Sequence, residues 1–210
     1  MLSNYRIDSN GVIQQTNILT IQYDHDYVEQ RYNSYPTGKS MAHLRLGYLL
    51  GVLKEFKPKS ILDVGYGNGD FLEVASKFIE DCSGFDIPPA YPLSDNIKTI
   101  QNMYTDTYDV VCFFDSLEHF HNIYEIKKLK TKYVYISLPW CHNFSNDWFE
   151  NWKHRRPNEH IWHFDLNSLK SFFLSLGYEY ITHSAVEDII RQPEEKGVPN
   201  ILTAIFQYKS

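Results

Sequence analysis

Hydrophobic residues along the chain follow two patterns, short continuous runs and stripes at helical spacing. Continuous runs predict buried strands at residues 60–64, 83–87, 108–114 and 133–138. Stripes with steps of three and four predict helices at residues 41–56, 71–79, 123–129 and 166–176. Because strands and helices alternate over most of the chain, the pattern predicts an α/β fold with a mostly parallel, doubly wound sheet.

Both ends of the chain depart from this alternation. Residues 1–38 are polar, rich in tyrosine and weakly periodic, which predicts an N-terminal extension that packs against the main domain, residues 39–210. Near the other end, Asp165 is placed to cap a helix. The β-rich runs Tyr178–Ile190 and Ile201–Tyr208 then flank a turn-rich segment, which predicts an antiparallel hairpin.

The composition restricts the class of protein. The 210 residues carry 20 Lys and Arg against 26 Asp and Glu, so a surface that follows nucleic-acid phosphates is not expected. No apolar segment approaches the roughly 18–20 residues of a membrane span, and the start lacks a secretory signal, so a cytoplasmic location is expected. Three well-separated cysteines indicate free buried thiols, not disulfides or a cysteine-rich zinc site.

Residues that indicate chemistry lie where the predicted parallel strands end, which is where such sheets bind ligands. After the first strand, glycines at 65, 67 and 69 allow a tight turn and close approach of a ligand. Position 70 is Asp70, so the loop departs from the GxGxxG dinucleotide fingerprint. Asp86 ends the next strand, where a carboxylate can accept both hydroxyls of a ribose, and Asp115 ends a later one.

Several segments together resemble the class I S-adenosylmethionine-dependent methyltransferases, in their small-molecule, ubiquinone-methyltransferase-like branch. Ile61–Gly69 is similar to the first motif of that family, and Gly84–Ile87 is similar to the second. Asp115–His119 resembles the end of the fourth motif, and His160–Phe164 resembles the start of the C-terminal pattern. The resemblance covers about residues 40–208 and implies a Rossmann-like, seven-stranded sheet with an antiparallel C-terminal hairpin strand.

The resemblance implies S-adenosylmethionine as the cofactor and a role for each matching residue. The glycines would approach the methionine part, Asp86 would hold the ribose hydroxyls and Ile87 would pack on adenine. The implied cofactor-binding residues are Asp63, Gly65, Tyr66, Gly67, Asn68, Gly69, Asp86, Ile87, Asp115 and Ser116.

Candidate catalytic and substrate residues lie outside this set. A general base is needed where the acceptor must lose a proton, and the resemblance places His119 and His160 near the pocket mouth. A structural role is the alternative for each histidine. Trp140 and His163 are candidate substrate contacts, with packing of the insert as the alternative for the tryptophan, and Tyr35 is a third candidate in an extension that could cap the site.

Two further features, a basic cluster and a pair of histidines, can be explained without a binding site. Lys153–Arg156 is a compact basic cluster that could bind an anionic substrate, although a solvated loop is the preferred interpretation. His160 and His163 lie in a segment without a predicted helix, so their spacing does not place them on one face. A metal site formed by the histidines with Glu118 or Glu159 is therefore the less favoured alternative, and no metal site is predicted.

These observations predict a methyltransferase that moves a methyl group from S-adenosylmethionine to a small molecule, with oxygen as the expected acceptor atom. The alternatives are a non-catalytic scaffold that keeps the fold and a nicotinamide-dependent enzyme, which Asp70 disfavours. The segment after the strand that ends at Asp115 lacks the Asn/Asp-Pro-Pro-Tyr element found in enzymes that methylate planar amino groups of DNA. No nucleic-acid or membrane partner is expected, and a homodimer stays open.

Overall fold

The computed structural model describes residues 3–20 and 37–209. Within that part of the chain, seven strands form one sheet in the order β5-β4-β3-β6-β7-β10-β9. These strands are β3 (Ser60–Val64), β4 (Asp81–Phe85), β5 (Lys98–Thr99), β6 (Thr107–Phe114), β7 (Lys130–Pro139), β9 (Tyr178–Ser184) and β10 (Ile201–Tyr208). β3 to β7 pair in parallel, and β10 lies antiparallel between β7 and β9. The predicted Rossmann-like sheet with an antiparallel C-terminal hairpin is confirmed.

Helices cover both faces of this sheet. The α-helices in the described residues are α1 (Gly38–Leu53), α2 (Asp70–Ala75), α3 (Asn146–Asn151) and α4 (Leu166–Ser175). Short 3-10 helices span Leu117–His119, Ile123–Lys128 and Val186–Ile189. α4 begins as predicted, because the Asp165 carboxylate accepts a hydrogen bond from the Ser168 N–H over 2.6 Å.

Alternate residues of each central strand enter two separate cores. In β3, Ile61 packs with residues of α1 and α2, whereas Leu62 packs with residues of α4. In β6, Val110 and Val111 divide in the same way. This period of two places α1 and α2 on one face of the sheet and α4 on the other, and it explains the continuous hydrophobic runs.

Some boundaries differ from those predicted. α1 starts at Gly38, which is one residue before the predicted start of the main domain at residue 39 and three residues before the predicted helix 41–56. β4 covers Asp81–Phe85 instead of the predicted 83–87, so Asp86 and Ile87 follow the strand. β9 stops at Ser184, and the 3-10 helix Val186–Ile189 takes the rest of the predicted run.

Residues 3–20 form part of a second, smaller sheet that the sequence pattern does not show. β1 (Tyr5–Ile7) pairs antiparallel with β2 (Ile13–Gln15), and β2 pairs with β8 (Trp162–His163). Residues 3–20 thus contact residues 39–210 through the pairing of β2 with β8. All three cysteines are free and buried. Across the described ranges, no helix combines the length and apolar character that a membrane span requires.

Candidate active site

The loop between β3 and α2 turns on three glycines with a left-handed backbone. Gly65, Gly67 and Gly69 have φ angles of 76°, 60° and 78°. A Cβ atom on Gly65 would lie 2.6 Å from the Ser116 Cβ, so only glycine fits there. The Gly65 N–H also donates to the Phe85 carbonyl over 2.7 Å. The loop therefore presents a fixed surface of main chain at the carboxyl edge of the sheet.

The Asp86 carboxylate holds this loop from the neighbouring strand end. Its Oδ2 accepts a hydrogen bond from the Gly67 N–H over 3.0 Å, and its Oδ1 accepts from the Ile87 N–H over 2.8 Å. Desolvation raises the pKa of Asp86, and these two backbone donors lower it. Because a carboxylate has about four acceptor positions, an oriented pair of oxygens is still available for hydroxyl groups of a ligand.

A cavity of about 210 Å³ opens beside the glycine loop. The predicted cofactor and catalytic residues that line it are Asp63, Gly65, Tyr66, Gly67, Asn68, Asp115, His119 and His160. Of the other predicted cofactor residues, Gly69 is the N-cap of α2 and Ser116 is buried against Gly65. The Ile87 side chain is 54 % exposed, beside Asp86. The structure thus gathers most of the predicted set around one cavity.

A network of four charged side chains forms one wall of the cavity. Arg45, from α1, donates from Nε to Glu187 over 2.7 Å and lies 3.4 Å from the Asp115 carboxylate. Arg191 donates to the same Asp115 over 2.6 Å and to Glu187 over 3.3 Å. Burial disfavours the charge of Asp115, yet Arg191 and Arg45 hold its pKa below the ordinary value. Phe114, the last residue of β6, lies 4.2 Å below the Arg45 guanidinium.

Three histidines meet at another part of the cavity. The rings of His119 and His160 pack edge to face with centroids 4.7 Å apart. The His160 Nδ1 lies 2.6 Å from the His154 carbonyl oxygen, which can only accept, so Nδ1 carries the proton and Nε2 keeps its lone pair. Burial lowers the pKa of His160 to about 2 and that of His154 to about 4. Both imidazoles are therefore neutral near pH 7.

Two predicted substrate contacts are placed away from the cavity lining. The Trp140 ring stacks on His142 with centroids 5.4 Å apart. His163 is 3 % exposed and packs against Phe149, 5.1 Å between centroids, so its ring belongs to an aromatic cluster. The structure therefore favours the packing alternative for Trp140 and places His163 in the core. The third candidate, Tyr35, lies outside the described residues.

Sequence reasoning missed part of the cavity wall. His154 and Arg156 line it, although their basic cluster was expected in a solvated loop. Arg191 lines it as well and follows the 3-10 helix that carries Glu187. The ion pairs of Arg45 join residues 142 and 70 positions apart, and no local spacing signals such pairs. Only the basic cluster offered a sequence signal for its members.

With this geometry in place, comparison with known proteins decides the family. The sequence model of a methyltransferase-domain family matches residues 35–183, which is well over half of the chain. The chain belongs to this methyltransferase family. No curated protein is a detectable sequence relative of the chain.

Solved structures share the fold of this methyltransferase at low sequence identity. A chain from the complex between the Haloferax volcanii Trm112 methyltransferase activator and a methyltransferase is 12 % identical, with a TM-score of 0.65 over 91 % of this chain and 100 % of that one. The plantazolicin methyltransferase BpumL, solved with a triazolic desmethylPZN analog and SAH, is 17 % identical, with a TM-score of 0.54 over 89 % and 92 %. The methyltransferase domain of bacterial CtHen1-CN is 18 % identical, with a TM-score of 0.54 over 79 % and 98 %.

The methyltransferase is S-adenosylmethionine-dependent and belongs to class I. Its cavity has features that fit this cofactor. Asp63 is 2 % exposed and its Oδ1 has no hydrogen-bond partner among the described residues, so a buried carboxylate oxygen is available to a cationic group. The cofactor carries a sulfonium and an ammonium, and we expect its two ribose hydroxyls to donate to the oriented oxygens of Asp86, which lies at the edge of the glycine loop.

The buried Asp63 carboxylate predicts a pH dependence of cofactor binding. Desolvation raises the pKa of Asp63 to about 7, with Asp86 adding to the shift and Arg45 opposing it. Since the unfolded value is about 3.9, the folded state binds the proton more tightly, and the free energy of unfolding falls as pH rises from about 4 through about 7. A cationic ligand favours the carboxylate, so affinity for S-adenosylmethionine should decrease as pH drops below about 7.

Calorimetric titration of the cofactor at about pH 6 and about pH 8 checks this expectation. Asp63→Asn keeps the side-chain shape and removes the titration, so its affinity should change much less between the two values. Equal slopes in the wild type and the Asn variant would show that Asp63 does not sense the cofactor.

Proposed function

We propose that the methyltransferase transfers the methyl group of S-adenosylmethionine to a hydroxyl oxygen of a small molecule. The observation that carries this proposal is the shared cavity: the glycine loop and the imidazoles of His119 and His160 line the same space. The loop is suited to the cofactor, and the imidazoles are suited to an acceptor that donates a hydrogen bond. The reacting groups would therefore meet within one cavity.

Methyl transfer needs alignment more than covalent help from the protein. The acceptor oxygen forms a bond to the methyl carbon while the carbon–sulfur bond breaks, and the electron pair stays on sulfur to give S-adenosylhomocysteine. A hydroxyl is a poor nucleophile until its proton leaves, whereas a neutral amine already offers a lone pair. The Nε2 lone pair of His160, which can accept a hydrogen bond from a hydroxyl, therefore supports oxygen as the acceptor atom. Exclusion of water and orientation in the cavity supply the rest of the rate enhancement.

The volume of the cavity and the net charge of the chain support a small acceptor. The cavity measures about 210 Å³ and is walled by α1 and by side chains such as His154 and Arg191, so it is a pocket rather than an extended groove. The whole chain has a formal charge of −6, which does not suit a polyanionic acceptor. The fold can accommodate a small-molecule ligand, because BpumL, which shares the fold, was solved with a desmethylPZN analog.

Matched acceptors test the proposal. Release of S-adenosylhomocysteine should be measured with sets of small molecules that share one skeleton and carry a hydroxyl, an amine or a thiol. We expect turnover with members of the hydroxyl series, and calorimetry should show binding of S-adenosylmethionine and S-adenosylhomocysteine but not of NADH. Turnover confined to amines would assign the acceptor to nitrogen and contradict the proposal.

A further inference from the structure

A carboxylate and two imidazoles converge beside the cofactor cavity. Glu118, His119 and His160 each offer one ligand atom, and the three atoms lie within 4.8 Å of one another. His119 and His160 line the cavity, whereas Glu118 is 2 % exposed. The cofactor contacts proposed above leave Glu118 without a role.

The Glu118 carboxylate points to a missing cation. Neither of its oxygens has a hydrogen-bond partner among the described residues. Asp115 is itself held by two arginines, so it offers Glu118 no donor. A buried carboxylate without a partner is costly, and a bound cation would supply that partner.

The state of His160 suits a metal ligand. Its Nδ1–H donates to the His154 carbonyl over 2.6 Å, which directs the Nε2 lone pair away from that contact. Ligand histidines in metalloproteins usually donate their second N–H to a carbonyl or a carboxylate in this manner. A metal ligand must offer a lone pair, and the Nδ1–H contact leaves the lone pair of Nε2 available.

The main chain fixes the three side chains relative to one another. Glu118 and His119 lie in the 3-10 helix Leu117–His119 that follows β6. The Ile161 N–H donates to the Glu118 carbonyl over 2.8 Å, and Ile161 is the neighbour of His160. This hydrogen bond joins the two segments that carry the ligands. The cluster is therefore built into the fold and does not depend on the rotamer of an exposed side chain.

We propose that Glu118, His119 and His160 bind a divalent first-row transition metal ion at the cavity wall. Two imidazole nitrogens and one carboxylate form a ligand set that suits ions such as Zn²⁺, Mn²⁺, Fe²⁺ and Co²⁺. Bonds of about 2.0–2.2 Å place two ligand atoms about 3–4.4 Å apart, depending on the angle at the ion, so the three atoms, which lie within 4.8 Å of one another, must move toward a common centre when an ion binds. Three protein ligands leave open positions, and His119 and His160 turn the site toward the cavity.

An ion in this position would act on the acceptor, a role that rests on the proposed function. A hydroxyl oxygen bound at an open position would have its pKa lowered by the metal. The oxygen would release its proton to water, attack the methyl carbon and displace S-adenosylhomocysteine. With the ion bound, His119 and His160 would contact the acceptor through the metal and would not act as bases, so the metal would take over the activation of the hydroxyl from the imidazoles. This assignment differs from the sequence interpretation, in which no metal site was predicted.

Titration of the full chain with Co²⁺ tests the site without any methyl acceptor. The protein is first treated with a chelator, and binding is followed by calorimetry and by the visible absorption of protein-bound Co²⁺. We expect about one equivalent to bind and Zn²⁺ to displace it. Glu118→Gln should weaken Co²⁺ binding by at least about tenfold, the scale on which metal sites respond to altered ligation.

Matched variants keep this test decisive. His43→Gln removes an exposed histidine of α1 and should leave Co²⁺ binding unchanged. Glu118→Gln removes a buried charge, so we expect it to fold, which circular dichroism can verify. Absence of stoichiometric Co²⁺ and Zn²⁺ binding, or full affinity in folded Glu118→Gln, overturns the metal site. Cofactor binding is titrated separately in metal-free protein: its failure would count against the methyltransferase function and leave a measured metal site intact.

Discussion

Asp86→Ala is expected to weaken the binding of S-adenosylmethionine by more than about tenfold while the protein stays folded. Hydrogen bonds to a charged partner contribute about 1.5–3 kcal/mol each, and about 1.4 kcal/mol corresponds to tenfold in affinity. Loss of a carboxylate that accepts from the ribose hydroxyls therefore exceeds tenfold even if only one of the two bonds matters. Calorimetric titration of the purified variant measures the change directly.

The same substitution removes a support of the glycine loop, so its controls must separate the two effects. The loop keeps its other main-chain ties, from Gly65 to Phe85 and from Gly69 to Tyr66. Asp86→Asn retains one acceptor oxygen and should fall between the wild type and the Ala variant.

Asp81 is the first residue of β4, at the opposite end of the strand from Asp86, and it pairs with Lys98 on the surface. Asp81→Ala should therefore leave cofactor affinity unchanged. A folded Asp86→Ala with wild-type affinity would remove Asp86 from the site.

Arg45→Met is expected to lower the free energy of unfolding by about 3–5 kcal/mol, the range measured when one partner of a buried ion pair is removed. Glu187 is fully buried and receives two hydrogen bonds from Arg45, over 2.7 and 3.0 Å. Arg191 stays 3.3 Å from Glu187, which should bring the loss toward the lower end of the range. Urea or thermal unfolding of the cofactor-free protein provides the measurement.

Two further variants show whether the loss comes from an uncompensated charge. Arg45→Met with Glu187→Leu replaces the pair by apolar side chains and should regain a large part of the stability. Lys98→Met breaks an exposed ion pair, Lys98–Asp81, which solvent screens, and should leave the free energy of unfolding nearly unchanged. If Arg45→Met unfolds with the same free energy as Lys98→Met, the network does not stabilise the fold.

Local pattern was sufficient to predict the sheet and the glycine loop. Residues 60–64 and 108–114 are mostly hydrophobic because helices cover both faces of the sheet, and that burial is visible as apolar runs interrupted by Asp63 and Asp109. The glycines at 65, 67 and 69 occupy left-handed positions that few other residues tolerate. In these places a single requirement, burial on both faces or a left-handed backbone, restricts the residue type, so the structure can be predicted from the sequence.

Features formed by distant residues could not be predicted in this way. β1, β2 and β8 have only two or three residues each, too few for a period of two to stand out among polar residues. Trp140 and His163 are predicted as substrate contacts because they are aromatic or titratable side chains near the site. The same properties suit packing against other aromatic side chains. Only the three-dimensional arrangement distinguishes these roles.

The small sheet makes the two ends of the chain unequal targets for protein engineering. Gln15 exchanges two hydrogen bonds with Asn158, over 2.9 and 2.7 Å, and its N–H donates to the Ile161 carbonyl over 2.7 Å. Asn158 and Ile161 lie on either side of His160 in the chain, so deleting the first twenty residues would release the segment that carries His160. An affinity tag or fusion partner is therefore better attached after Tyr208, where the last strand has already ended.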